Sequence, residues 1–93
     1  MRTINQSSRF KRDFKREARG QHRQFLRENW TKILNMLAND GPLPVLFYDH
    51  ALSGDWLDFR DCHIRPDLVL IYSKPDDNTL QLARMGSHSE LSL

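Results

Sequence analysis

The sequence predicts a small α+β domain, with two antiparallel helices packed against an antiparallel β-meander. Three observations carry this. Apolar residues recur with helical spacing through the first forty residues. Over the second half they switch to short strand-like runs separated by turn residues. Finally, 93 residues make one domain, residues 1–93, with a thin core. Neither the helix pair nor the sheet can bury its apolar side unaided, so each must cover the other.

The elements follow in order. Residues 2–5 (Arg-Thr-Ile-Asn) read as a short first strand. Ser7 and Ser8 can offer an oxygen to the unpaired N–H groups of a first helical turn. A helix is expected over Arg9–Arg19, with Phe10, Phe14 and Ala18 along one face and Gly20 as its stop. A second helix is expected over Gln21–Ala38. Leu26, Trp30, Ile33, Leu34 and Leu37 form its continuous apolar stripe, and Asn39-Asp40-Gly41-Pro42 ends it. Leu43–Tyr48 reads as an extended connection, leading into a loop through His50, Gly54 and Asp55. Trp56–Ile64 is a strand candidate ended by Arg65-Pro66. Leu68–Ser73 is a buried strand, Lys74–Asn78 a turn, and Thr79–Met85 a third strand followed by a short polar tail.

Several function classes fall away. The apolar run Leu68–Tyr72 is too short to span a bilayer and no signal peptide opens the chain, so no membrane association and a cytoplasmic location are expected. Cys62 is the only cysteine, which excludes an internal disulfide and a zinc ribbon. Strand parity turns it away from His63, toward the core. There is no Walker loop, GxGxxG, HExxH or GxSxG, and no cofactor is expected.

Charge divides the chain. Residues 1–40 hold ten Lys/Arg against four Asp/Glu, and residues 41–93 hold four against eight. The basic half should attract a polyanion or an acidic partner. Arg12, Arg16, Arg19 and Arg23 follow helical spacing as a ridge, joined by Lys15 and Arg27.

The acidic half gathers the titratable candidates His50, Asp61, His63, Asp67, Arg84 and His88, while His22 receives no role. Histidine changes charge near neutral pH and can carry a proton either way. Two proton-transfer groups and an arginine meet the needs of metal-free RNA phosphodiester cleavage. One group takes the 2′-OH proton, one protonates the leaving 5′-oxygen, and a cation balances the phosphate charge. Read singly, each of these residues is equally at home as a surface polar group. Asp61 could simply pair with an arginine, and parity sets Arg84 on the row of Leu82. A zinc site from His50, His63 and His88 lacks the familiar ligand spacings, and none is expected.

Taken in order, the pieces resemble a family. Asp49-His50-x-Leu52-x-Gly54-x-Trp56, then Phe59-Arg60-Asp61-x-His63-Ile64-x-Pro66-Asp67, then Leu70-Ile71-Tyr72 and Arg84-x-Gly86-Ser87-His88 resemble the YafQ branch of the RelE/ParE toxins of bacterial type II toxin–antitoxin pairs. The close match runs over about residues 42–91. The resemblance implies a RelE-like fold: a strand, two helices, a meander and a short C-terminal segment. It also implies a ribosome-dependent endoribonuclease that cuts mRNA in the A site without a metal. The products would be a 2′,3′-cyclic phosphate or 3′-phosphate and a 5′-hydroxyl. The site residues carried over are His50, His63, Asp67, Arg84 and His88, with His88 as acid, Asp67 or His50 as base, His63 assisting and Arg84 balancing the phosphate charge. The implied partners are the ribosome and its mRNA, docked on Arg12, Lys15, Arg16, Arg19, Arg23 and Arg27, and a cognate antitoxin protein. The alternative is a non-enzymatic relative that poisons gyrase or only binds antitoxin or RNA. The joint presence of His50, His63 and His88 argues against it. Leu68 and Ser92 stand where the family pattern has aromatics.

Overall fold

A computed structural model describes residues 1–93. The chain runs β1 (Thr3–Gln6), α1 (Ser8–Glu17), α2 (Arg23–Ala38), β2 (His50–Ala51), β3 (Arg60–Arg65), β4 (Leu68–Ser73) and β5 (Thr79–Gly86), with 3-10 turns at Val45–Phe47 and Gly54–Trp56. The five strands form one sheet in the order β1-β5-β4-β3-β2. Strands β2 to β5 pair antiparallel, as the meander predicts, and β1 adds to β5 in parallel, with Thr3 opposite Thr79 and Gln6 opposite Leu82. No helix is long and apolar enough to cross a membrane.

Both helices pack on one face of the sheet. Phe10, Leu26, Ile33, Leu37 and Ala38 meet Cys62, Ile64, Leu68, Leu70, Tyr72, Leu80, Leu82 and Met85. Trp30 joins the helices to each other, its ring centroid 5.8 Å from Phe10 and 5.2 Å from Phe14. Phe10 is fully buried, and removing its ring should destabilise the fold by about 3–5 kcal/mol. Ser7 caps α1 as expected, accepting from the Phe10 N–H at 2.9 Å. Its hydroxyl also donates to the Ala83 carbonyl at 2.7 Å, which ties the helix start to β5.

The opposite face carries a smaller core that the sequence did not disclose. Val69, Ile71, Ala83 and Leu91 pack there beneath Leu52, Trp56 and Phe59. Central strand β4 is therefore buried on both sides and reads as an unbroken apolar run.

Three expectations are corrected. The strand read at Trp56–Ile64 begins only at Arg60: Gly54–Trp56 is a 3-10 turn and Asp58 adopts a positive φ of 73°, leaving Trp56 and Phe59 in a loop folded over the second core. Leu43–Tyr48 is not extended throughout, because Val45–Phe47 coils into a 3-10 turn. The arginine ridge is not continuous, since Ala18–His22 is a turn between two helices: Arg12 and Arg16 lie on α1, Arg19 in the turn and Arg23 on α2.

Candidate active site: three histidines around a buried carboxylate

The site lies on the face of the sheet away from the helices. Asp61 and His63 project there from β3, one strand period apart, and Cys62 between them points into the helix-side core. Burial pushes the Cys62 thiol well above its ordinary pKa, so it carries no nucleophilic chemistry. Strand β2 sets His50 directly opposite Asp61. His88 arrives from beyond β5 on a turn with its own lock. The Ser87 N–H donates to Glu90 Oε1 at 2.9 Å while the Glu90 N–H donates to Ser87 Oγ at 3.1 Å. This reciprocal capping box was legible as Ser87-x-x-Glu90.

The result is compact. The His63 and His88 rings meet edge to face with centroids 4.7 Å apart, and His50 is 6.4 Å from His63. Asp61, His63 and His88 each bring a ligand-capable atom within 4.8 Å of the others. His50 and His88 are exposed, His63 is half-buried and Asp61 is only 2% exposed.

Two details set the protonation pattern. His50 Nδ1 lies 2.7 Å from the Tyr48 carbonyl oxygen. A carbonyl only accepts, so Nδ1 carries the hydrogen and the neutral ring keeps its lone pair on Nε2. The same Nδ1 is 3.0 Å from Asp61 Oδ1, but its single N–H is engaged by the carbonyl. Asp61 Oδ1 is left buried without a hydrogen-bond donor. Burial raises the Asp61 pKa, and the nearby histidines only partly offset this. The loop before His50 is fixed by Asp49, which accepts from the Tyr72 hydroxyl and from Arg60 Nε and Nη2, the latter two at 3.3 Å.

Two predicted site residues stand apart from the histidines in this structure. Asp67, in the β3–β4 turn, faces the turn between the helices. It accepts from Gln21 Nε2 at 3.1 Å and lies 3.6 Å from His22 Nε2. His22, given no role by the sequence, is buried there beside Arg65. Arg84 leaves the row of Leu82 through a β-bulge that sets Arg84 opposite Ile71 and Leu82 opposite Tyr72. Its guanidinium then reaches α1, donating to both oxygens of Asp13 at 2.8 and 3.0 Å. Burial alone would raise the Asp13 pKa. Hydrogen bonds from Arg84 and the Met85 N–H, with the charges of Arg84 and Arg16, hold it below the usual carboxylate range. The six basic residues expected to dock RNA, Arg12, Lys15, Arg16, Arg19, Arg23 and Arg27, are all exposed, and Arg16 is also paired with Asp13, Glu17 and Glu90.

Residues 2–93 match the family described as bacterial toxin of type II toxin–antitoxin system, YafQ. The chain belongs to the YafQ family. It is 36% identical over 90 residues to the mRNA interferase toxin YafQ of Escherichia coli K12, covering 97% of this chain and 95% of that protein. The metal-bound toxin from Helicobacter pylori superposes with a TM-score of 0.80 at 40% identity, covering 98% of this chain and 99% of that one. YafQ in the E. coli DinJ–YafQ toxin–antitoxin complex superposes at 0.78 with 34% identity, covering 97% of this chain and 96% of that one. The expected RelE-like α+β fold is therefore present, with the N-terminal strand included.

Proposed function

We propose that this chain is an mRNA interferase toxin, an endoribonuclease that cuts mRNA in the ribosomal A site by proton transfer alone. The observation that carries the reading is the convergence of His50, His63 and His88 around the buried Asp61, within a YafQ-family chain. His50, with its free Nε2, takes the 2′-OH proton as the 2′-oxygen attacks phosphorus. His88, as imidazolium, protonates the departing 5′-oxygen. His63 stands beside His88 as a further donor to the phosphate, and Asp61 lies beneath the rings. The products are a 2′,3′-cyclic phosphate, open to hydrolysis to the 3′-phosphate, and a 5′-hydroxyl.

This reading assigns the base to His50 rather than Asp67, whose carboxylate is engaged by Gln21 across the helix turn. It makes Arg84, on the strand that leads to His88, a positioning residue, since its donors are committed to Asp13 of α1. The exposed Arg12, Lys15, Arg19, Arg23 and Arg27 dock on ribosomal RNA, which fixes the mRNA in a pose that so small a domain cannot impose. The same basic surface suits an acidic antitoxin segment that folds as it binds.

The Asp61, His63 and His88 donors also fit a divalent transition-metal ion. Such an ion would occupy the His88 nitrogen that must carry the acid's proton, so in this reading it inhibits.

The test is cleavage of a defined mRNA by wild type and His88→Ala, with and without programmed 70S ribosomes, in the presence of a chelator. Expected is cleavage on the ribosome only, unaffected by the chelator and reduced about 100-fold or more in the variant. Full cleavage by His88→Ala, or loss of wild-type cleavage in chelator, would sink the mechanism.

A further inference from the structure

Beside the histidines lies an aromatic ring that no step above uses. Tyr48 is 73% exposed, and Leu46 next to it is 85% exposed. Nothing in the fold requires a large ring to stand in solvent there, yet the backbone that carries it is held firmly. Its residue sits in the left-handed region at φ 51° and ψ 45°, a conformation uncommon for any residue but glycine and asparagine. The Tyr48 N–H closes the preceding turn on the Val45 carbonyl, and its own carbonyl accepts from His50 Nδ1. The neighbouring Asp49 is anchored by Tyr72 and Arg60. The backbone of Tyr48 is thus registered to His50 through one hydrogen bond, and the ring centroid lies 6.2 Å from that of His63. Between Tyr48 and His63 opens a cleft of ≈ 480 Å³, walled by Leu46, Phe47, Ile64 and Pro66 and bordered by Arg65.

We propose that this cleft is a nucleobase subsite, in which Tyr48 stacks on the base of a nucleotide adjoining the scissile phosphate. The proposal rests on the ribonuclease reading and deepens it. The cleft shares His63 with the catalytic cluster, so a phosphate held between His50 and His88 brings the next base to its mouth. A mostly apolar cleft with an exposed ring suits a base rather than a phosphate. The other two aromatics on this face, Trp56 and Phe59, are turned against each other at 5.3 Å over the second core. Aromatic stacking tolerates any base but binds purines over more area, so Tyr48 would favour a purine at that position.

The experiment compares wild type, Tyr48→Phe and Tyr48→Asn in single-turnover cleavage of ribosome-bound mRNAs that are intact or abasic at one nucleotide on either side of the cut. Asn is chosen because it tolerates the left-handed backbone, and thermal melts should confirm that both variants fold. Tyr48→Phe should keep most of the rate. Tyr48→Asn should lose about 5- to 100-fold on intact RNA, the range that base–aromatic stacking supports. On the RNA lacking the stacked base it should lose nothing further. Wild-type rates from Tyr48→Asn, or losses that multiply with the abasic loss at every position, would overturn the subsite and leave the ribonuclease standing. So would a variant weakened only in antitoxin binding, which would assign the ring to that partner. Wild type that cuts no RNA would instead overturn the ribonuclease reading and the subsite with it.

Discussion

Two buried carboxylates sit on this sheet in opposite circumstances. Asp13 reaches from α1 to the edge of β5 just where β1 has ended. It accepts from the Met85 N–H at 3.1 Å and from both donors of Arg84, while Arg16 donates to the Met85 carbonyl at 3.1 Å. A helix thereby satisfies strand-edge groups that another chain could otherwise pair with. Asp61 is equally buried but has an oxygen that no donor reaches, among three histidines. The first carboxylate is satisfied and its pKa falls; the second is unsatisfied and its pKa rises. The comparison teaches that burial of an acid identifies neither role. Completeness of its hydrogen bonds separates the acid that holds the fold from the acid that the proposed mechanism places in the site.

The largest effect that tests this is Asp13→Ala. It strands the Arg84 guanidinium and should destabilise the chain by about 3–5 kcal/mol, read as the midpoint of denaturant unfolding. If that variant does not fold at all, Asp13→Leu with Arg84→Met should recover a folded chain, because an apolar pair removes both stranded charges. A loss below about 1 kcal/mol would dissolve the contrast.

Asp61→Asn should behave in the opposite way. Ribosome-dependent cleavage should fall about 10-fold or more, while the melting temperature at neutral pH stays level or rises. A clear drop in melting temperature with intact cleavage would make Asp61 structural.

The pH dependence of stability sharpens the difference. The lowered Asp13 pKa contributes stability that is present above the unfolded carboxylate value of about 3.9 and is lost as pH falls through the folded one. The raised Asp61 pKa works in reverse: its contribution is full below about 3.9 and is lost as pH rises through the folded value. The advantage of Asp61→Asn over wild type should therefore grow from pH 3 to neutral. An advantage independent of pH would contradict this assignment.

The smallest effect is expected on the surface. Asp40 accepts from Arg2 and Lys74, and those hydrogen bonds pull its pKa to about 2, but it is exposed and its partners are screened by water. Asp40→Asn should leave the unfolding midpoint unchanged within error, showing that a lowered pKa without burial does not place an acid in the Asp13 class.

What the sequence made legible follows the range of the forces involved. The stripes of Phe10, Phe14 and Leu26–Leu37 and the run Leu68–Ser73 are local patterns, and the elements they predict are present. The parallel pairing of β1 with β5 joins Thr3 to Thr79, and no local pattern encodes that choice of partner. The Trp56–Ile64 stretch misled because its aromatics suit a strand equally well; in the fold they close the second core from a loop. In the site, the three histidines stood out by type and motif. Asp61 was visible only as a candidate, because its burial and its bare oxygen arise only in the assembled sheet, where β2 pairs beside β3. Asp13 carried one signal, an acid at helical spacing from Phe10 in the most basic part of the chain, and its partners Arg84 and Met85 lay more than seventy residues away. The aromatics absent at positions 68 and 92 also separate once their surroundings are known. Leu68 is sealed in the helix-side core, so a ring there would pack rather than reach RNA, whereas Ser92 is exposed and borders the cavity that holds His50 and His88.

The place of β5 in the sheet bears on when such a chain can become harmful. Strand β5 lies between β1 and β4, so the first strand has nothing to pair with until synthesis has passed residue 79. The Asp13 lock needs Arg84 and Met85, and His88 comes later still. Folding that depends on contacts so far apart in sequence is slow, and it starts late on a chain built from its N-terminus. A nascent chain halted before β5 would hold helices without a finished sheet and two histidines without the third. A cell would thus gain an interval between translation of the chain and the first cut, in which a binding partner already present could reach the basic helices before the site has closed.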